Sequence, residues 1–174
     1  LGSLRIADDL PLLRLMAKSG CWLMYVDMGP WLSANLSERG SGLHQKERCY
    51  ENIQRIHDVG IEVIGSFAFG FDHDDPGIFE RTVRFCQMAR LDEVEFLILT
   101  PYPKTRLFER LEEEGRIIER DWAKYNTMNV VFRPKSMSPQ QLAEGYRMAW
   151  REFYSHRKPG HGARISEFTL QPQV

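Results

Sequence analysis

Apolar positions along this chain follow two alternating rhythms, one with helical spacing and one of short continuous runs. Leu10, Leu13 and Ala17 form a stripe, with Leu12 and Met16 beside it, which predicts a helix over Asp8 to Ser19 closed by Gly20. "CWLMYVDM" follows as a buried strand, then the polar stretch "LSERGSGLHQKER". A second helix is predicted from Glu47 to Val59, burying Tyr50, Ile53 and Ile56, with His57 at the core edge, and stopping at Gly60. The pattern then repeats. "IEVIGSFAFG" reads as a strand, and Asp75-Pro76 as an N-cap with proline at the first helical position. The helix after it carries Phe79, Val83, Cys86 and Arg90 on one side, with Thr82 alongside. "EVEFLILTPYP" is a third strand and "KTRLFERLEEEGRI" a helix ending at Gly115. Strands buried on both faces read as continuous apolar runs, and these three nearly do.

The last third changes character. "RDWAKYNTMNVVFRP" is aromatic and partly extended, whereas "SPQQLAEGYRMAWREFY" is a helix announced by Ser138 as N-cap, Pro139 next and Gln141 completing a capping box. Leu142, Tyr146, Ala149, Trp150 and Phe153 form its apolar face. From Ser155 onward, core residues are few and a loose tail is expected.

Strands alternating with helices over short links predict an α/β fold of parallel βαβ units, with the functional edge at the carboxyl ends of the strands. Asp27 to Pro30, Gly70 to Asp75 and Thr100 to Thr105 then gather at one edge. The expected strands, near Trp22–Val26, Glu62–Phe69 and Glu95–Leu99, should lie side by side and parallel. They are too few to close a barrel, which takes about eight units.

Size and charge narrow the function classes. At 174 residues the chain suits one domain or part of a larger one. Its formal charge of −1 gives no basic field for nucleic acid or anionic membrane. No apolar stretch approaches the ~20 residues that span a bilayer, and the N-terminus lacks a signal-peptide pattern, so a cytoplasmic protein is expected. Cys21, Cys49 and Cys86 are too widely spaced for a zinc or iron–sulfur motif and read as free thiols. Asp72, Asp74 and Asp75 crowd ahead of a helix start, where capping explains them; a divalent metal held by Asp72, His73 and Asp74 is the sharper alternative.

"GIEVIGSFAFGFDHDD", "LTPYPKTRLFERLEEEGRI", "DWAKYN", "VVFRP" and "FYS", in that order, resemble the C-terminal half of radical S-adenosylmethionine proteins, in the group with an N-terminal cobalamin-binding domain. The resemblance runs from about Asp8 to Ser155. It implies a partial (βα) barrel, a TIM-barrel-like half barrel with a C-terminal helical extension. On that basis the chain divides into barrel over 1–118, an extension with its terminal helix over 119–155 and a flexible tail over 156–174. In the family a CxxxCxxC loop holds a 4Fe-4S cluster that binds S-adenosylmethionine and cleaves it to a 5′-deoxyadenosyl radical. That loop is absent from this sequence.

The resemblance also assigns residues. Phe69, Gly70 and Phe71 match the strand end that supports the adenine, where glycine gives a ring room to approach. Asp27 stands close to the place where the family carries a glutamate that helps hold the cofactor; Gly29 occupies that place here, and Ser41 stands where a lysine is common. Tyr102 and Lys104 fall on the substrate side of the last strand exit, with Lys104 replacing the family's usual glycine. Tyr102 is read either as substrate-facing or as a loop-packing ring, and Lys104 as closing over an anionic group or as a solvated loop lysine. Trp122, Tyr125 and Arg133 are read as an aromatic cluster packing the C-terminal helix, or else as a substrate wall. The implied cofactors are S-adenosylmethionine and a 4Fe-4S cluster in the complete parent, and cobalamin through an N-terminal domain. The implied partners are a small-molecule substrate, and either the missing N-terminal half or a second copy covering the open sheet edge. A catalytically inactive truncated paralogue, or a partner protein, is the alternative reading, and an unrelated small α/β binding domain a third.

Overall fold

The structure, a computed structural model, describes residues 2–28 and 43–155. Three parallel strands, β1 (Leu23–Asp27), β2 (Glu62–Phe69) and β3 (Glu93–Ile98), lie in the order β1-β2-β3. Among the described residues five α-helices accompany them: α1 (Leu10–Lys18), α2 (Leu43–Asp58), α3 (Ile78–Met88), α4 (Arg106–Glu113) and α5 (Pro139–Ser155). The alternation predicted an α/β fold with a parallel sheet, and that is its architecture.

Local chemistry places most boundaries. Asp9 caps α1 by accepting from the Leu12 amide at 3.0 Å, while Leu4–Asp8 winds ahead of it as a 310 turn. Ser138 and Gln141 form the reciprocal capping box of α5: Gln141 N donates to Ser138 Oγ at 3.1 Å, and Ser138 N to Gln141 Oε1 at 2.8 Å. Two positions differ from expectation. Asp75 does not cap α3; its carboxylate takes the Gly77 amide at 2.7 Å and pairs with Arg81, so Pro76 and Gly77 form a turn and the helix begins at Ile78. Arg90 does not share the face of Phe79, Val83 and Cys86, because α3 ends at Met88 and Arg90 turns the chain with φ +54°.

The strands also depart from continuous burial. Along β3, half-buried and buried positions alternate from Glu93 to Ile98. Register extends this across the sheet: Val26, Gly65 and Val94 share one face, while Asp27, Ser66 and Glu95 share the other. The first face holds the core. Phe67 packs edge-on against Phe85 of α3 at 6.3 Å, Phe69 against Phe79 at 4.8 Å, and Phe96 against Trp150 of α5 at 5.6 Å. Helices α3 and α5 touch so closely that a Cβ on Gly145 would lie 2.1 Å from the Phe79 ring. Burying these aromatics contributes roughly 2–3 kcal/mol each.

The outer edges of the sheet are partly met by the chain itself. Gly2 bridges Val26 in the parallel sense, its amide donating to Tyr25 O at 2.7 Å, and Ile98 N donates to Thr127 O at 2.6 Å. His57 sits at the core edge as expected, with Nε2 2.8 Å from Asp92 Oδ2.

Candidate functional site

The second face of the sheet carries a polar network among half-buried apolar residues. Leu23, Ile64, Ala68 and Leu97 are half-buried there and lie outside the helix-covered core. Between them, Glu95 of β3 gathers two donors on one oxygen. Tyr25 Oη donates to Glu95 Oε2, as does Ser66 Oγ at 3.1 Å. Each residue comes from a different strand, so parallel pairing assembles the network. Burial raises the Tyr25 hydroxyl above its ordinary range, and the Glu95 carboxylate adds to that, so the phenol stays protonated and donates. Asp27 lies in the same cross-strand row as Ser66 and Glu95, is exposed, and borders a cleft of about 650 Å³ along the outer edge of β1. Sequence reasoning missed Tyr25, Ser66 and Glu95. The available signal was the alternation of polar residues in "MYVD" and "EVEFLI", concealed by their apolar neighbours.

The predicted site residues gather at the carboxyl ends of adjacent strands. Asp27 ends β1, Phe69 ends β2 with Gly70 and Phe71 next, and Tyr102 and Lys104 follow β3. Phe69 is fully buried on the helix side, against Phe79 and Phe96. Gly70 has φ +106°, and a Cβ there would meet Phe132 at 3.2 Å and Leu142 at 3.1 Å. The space beside its Cα is therefore filled by the chain's own C-terminal segments, and Gly70 itself is buried. Asp74, 1% exposed, locks this turn: one carboxylate oxygen accepts from the Gly70 and Phe71 amides, each at 2.9 Å. Phe71 is half-buried and stacks on His73 at 5.7 Å.

The other acids of the burst are likewise engaged in the fold. Asp72 pairs with Arg110 of α4 and, at 2.8 Å, with Arg116. Burial alone would raise its carboxyl, but hydrogen bonds from the two guanidiniums outweigh that and hold it below the usual range. Arg81 does the same for Asp75. Asp72 and Asp75 thus tie the β2 exit to α3, α4 and the segment after α4, while Asp74 holds the turn itself.

At the β3 exit, Tyr102 is 47% exposed and its carbonyl accepts from Thr105 Oγ1 at 2.6 Å. Lys104 is exposed and adopts φ +63°, the left-handed conformation natural to glycine. Thr105 then caps α4 through the Phe108 amide at 3.2 Å. Trp122 packs on Tyr125 at 4.8 Å and on Phe108 of α4 at 6.0 Å, so this aromatic cluster lies against α4, whereas the C-terminal helix was expected to receive it. Gly29 and Ser41 lie outside the described residues.

Comparison with known proteins completes the picture. A family defined as a domain of unknown function, DUF4070, matches residues 105–169. Bacteriochlorophyllide d C-12(1)-methyltransferase of Chlorobaculum tepidum is 32% identical over 80% of this chain and 30% of its own length. An uncharacterized methyltransferase of Pyrococcus horikoshii is 27% identical over 83% of the chain and 31% of its own length. The anaerobic magnesium-protoporphyrin IX monomethyl ester cyclase of Cereibacter sphaeroides is 26% identical over 90% and 26%. These relatives are radical S-adenosylmethionine proteins of the B12 type, and the chain is similar to a C-terminal portion of them. It spans about a third or less of the length of these relatives.

Fit to the family's cofactors divides sharply. Cys49 and Cys86 are buried, and burial pushes the Cys49 thiol up to about 12 and the Cys86 thiol well above its usual range, disfavouring the thiolate that ligates iron. Among the described residues no three His, Cys, Asp or Glu side chains converge as metal ligands, so these residues do not fit an iron–sulfur cluster. S-adenosylmethionine fits better. The second face offers an apolar surface at Ile64, Ala68 and Leu97 beside carboxylates, which suits a ring-bearing cation. No described helix is long and apolar enough to cross a membrane.

Proposed function

We propose that the chain is the C-terminal part of a cobalamin-type radical S-adenosylmethionine enzyme and contributes the adenine- and substrate-facing part of a partial (βα) barrel. Within it, residues 1–118 are barrel, 119–155 the extension and 156–174 a tail. The parent reaction is radical-based methyl transfer or C–H functionalisation of a small-molecule substrate, in line with relatives named as methyltransferases and a cyclase. S-adenosylmethionine supplies the radical chemistry once it is bound at a cluster carried by another part of the parent. This chain's own residues bind and orient. Ile64, Ala68 and Leu97 wall one side of the ligand, Asp27 and the Gly70–Phe71 turn border it, and Tyr102 and Lys104 stand at its substrate end.

The observation that carries this reading is the parallel sheet itself, whose adjacent exits set Asp27, Phe69 to Phe71, and Tyr102 to Lys104 along one edge in the family's order. Lys104 supports it further, because it retains a glycine-like backbone where the family has glycine. Gly29 and Ser41, at positions where the family has cofactor-holding residues, favour a second reading: an inactive truncated paralogue that serves as a partner protein.

Reading the gene upstream of Leu1 separates the two. The enzyme reading expects a continuous frame encoding CxxxCxxC and a cobalamin-binding domain. A frame that opens at this segment, with a complete paralogue elsewhere in the genome, would establish the second reading instead.

A further inference from the structure

We propose that the cleft of about 650 Å³ along the outer edge of β1 is a binding site for a small apolar α-amino acid, held by its ammonium and carboxylate groups together. The site goes beyond the reading above and does not rest on it. Its deciding residue is Asn52 of α2, which lines the cleft and is only 4% exposed. Asn52 Nδ2 donates to Leu4 O at 3.1 Å, which fixes the amide and leaves Oδ1 as an acceptor. That oxygen is buried and has no hydrogen-bond partner, unlike most buried polar atoms. An acceptor left in this state costs stability, and a donor on an occupant would recover it.

The rest of the cleft defines what carries that donor. Leu4, whose carbonyl holds Asn52, is followed directly by Arg5, which also lines the cleft. Arg5 is exposed and makes no ion pair among the described residues. The occupant therefore carries an anion close to its donor, and a guanidinium takes a carboxylate through paired hydrogen bonds. Arg48, one helical turn before Asn52, is engaged otherwise, with Asp8 at 2.9 Å. The charged side chains around the cleft are thus Arg5 and Arg48 against Asp8 and Asp27. That balance favours an occupant with no net charge, so the donor beside its carboxylate is an ammonium. Val26, Met28 and Cys49 line the same cleft and are buried, and burial pushes the Cys49 thiol up to about 12, which keeps it neutral. This apolar backing suits an aliphatic side chain. An amino acid of leucine's size combines the three features.

Protein-detected NMR titration of the full chain with leucine, leucinamide and 4-methylpentanoate at neutral pH tests the proposal. Leucinamide lacks the carboxylate, and 4-methylpentanoate lacks the ammonium. Leucine should bind about tenfold or more tighter than either and should shift the Asn52 side-chain amide signals. Asn52→Leu removes the buried acceptor and should weaken leucine by about tenfold while changing 4-methylpentanoate by no more than about twofold. Arg5→Gln, at an exposed position where folding should not suffer, should weaken leucine by about tenfold and leave leucinamide unchanged within about twofold. No saturable binding of leucine by folded wild type would overturn the proposal. So would equal affinities for the three compounds, or an unchanged leucine affinity in folded Arg5→Gln. The S-adenosylmethionine reading survives each of these outcomes, because none of the three probes carries an adenine.

Discussion

The exits of β2 and β3 both turn through a left-handed residue, yet they are built in opposite ways. At the β2 exit, Gly70 is buried beneath Phe132 and Leu142, and its amide is tied to Asp74. At the β3 exit, Lys104 is exposed, and the turn is closed mainly by Thr105 hydrogen-bonding to the Tyr102 carbonyl. The first exit is a joint between the sheet and the C-terminal segments. The second is a solvent-facing loop that tolerates a strained side chain, at a cost of about 1–2 kcal/mol for a non-glycine residue in that conformation. Substitution therefore reaches into the core at Gly70 and only into an exposed loop at Lys104.

The comparison breaks most visibly at Gly70. Gly70→Val would add both a φ that β-branched residues resist and contact with two core side chains, so it should destabilise by about 2–5 kcal/mol. Thermal unfolding checks this; a loss under about 1 kcal/mol would mean that Phe132 and Leu142 do not close that side. Asp74→Ala leaves two amides at the turn without their acceptor and should cost about 2–4 kcal/mol in denaturant unfolding. A smaller loss would show that solvent reaches the turn.

Asp72 sharpens the contrast through pH. Its folded carboxyl is held below the unfolded value of about 3.9, so its stabilisation is complete above that value and is lost as pH falls through the folded one. Asp72→Asn should cost about 1–2 kcal/mol at neutral pH, since Asp72 and Arg116 are partly buried although Arg110 is exposed. It should also flatten the fall in stability below about pH 4. Equal acid slopes for wild type and variant would dismiss the Asp72 pairs as a cause. The smallest effect belongs to the open loop. Lys104→Gly should stabilise by about 0.5–1 kcal/mol, less the greater chain entropy that glycine brings to the unfolded state. Destabilisation would show that the lysine side chain makes contacts the fold depends on.

Much of this architecture was legible in the sequence, because its signals were local. The Ser138–Gln141 capping box, the Gly20, Gly60 and Gly115 stops and the strand–helix alternation depend on residues a few positions apart. The helix start was placed two residues early because the Asp75 carboxylate found Arg81 and the Gly77 amide instead of the first helical turn. Asp72 and Asp74 were expected to serve helix capping, yet one bridges to residues about 40 positions onward and the other folds back onto its own turn. The Tyr25–Ser66–Glu95 network was out of reach for the same reason. It exists only through register across three strands, and each member alone looks like a polar residue in an apolar run. Asp27, Gly70 and Tyr102 were assigned through family resemblance; in the structure Asp27 and Tyr102 are exposed and Gly70 is buried.

The central claim is that a ligand lies on the second sheet face and along the strand exits. Photolabelling the full chain with 8-azido-S-adenosylmethionine, followed by peptide mapping, tests it most directly. The account predicts label on peptides carrying Tyr25 to Met28, Ser66 to Phe71 and Glu95 to Tyr102, displaced by excess S-adenosylmethionine. Label confined to the outer surfaces of α1, α3 or α5, or label that the competitor does not displace, would contradict it.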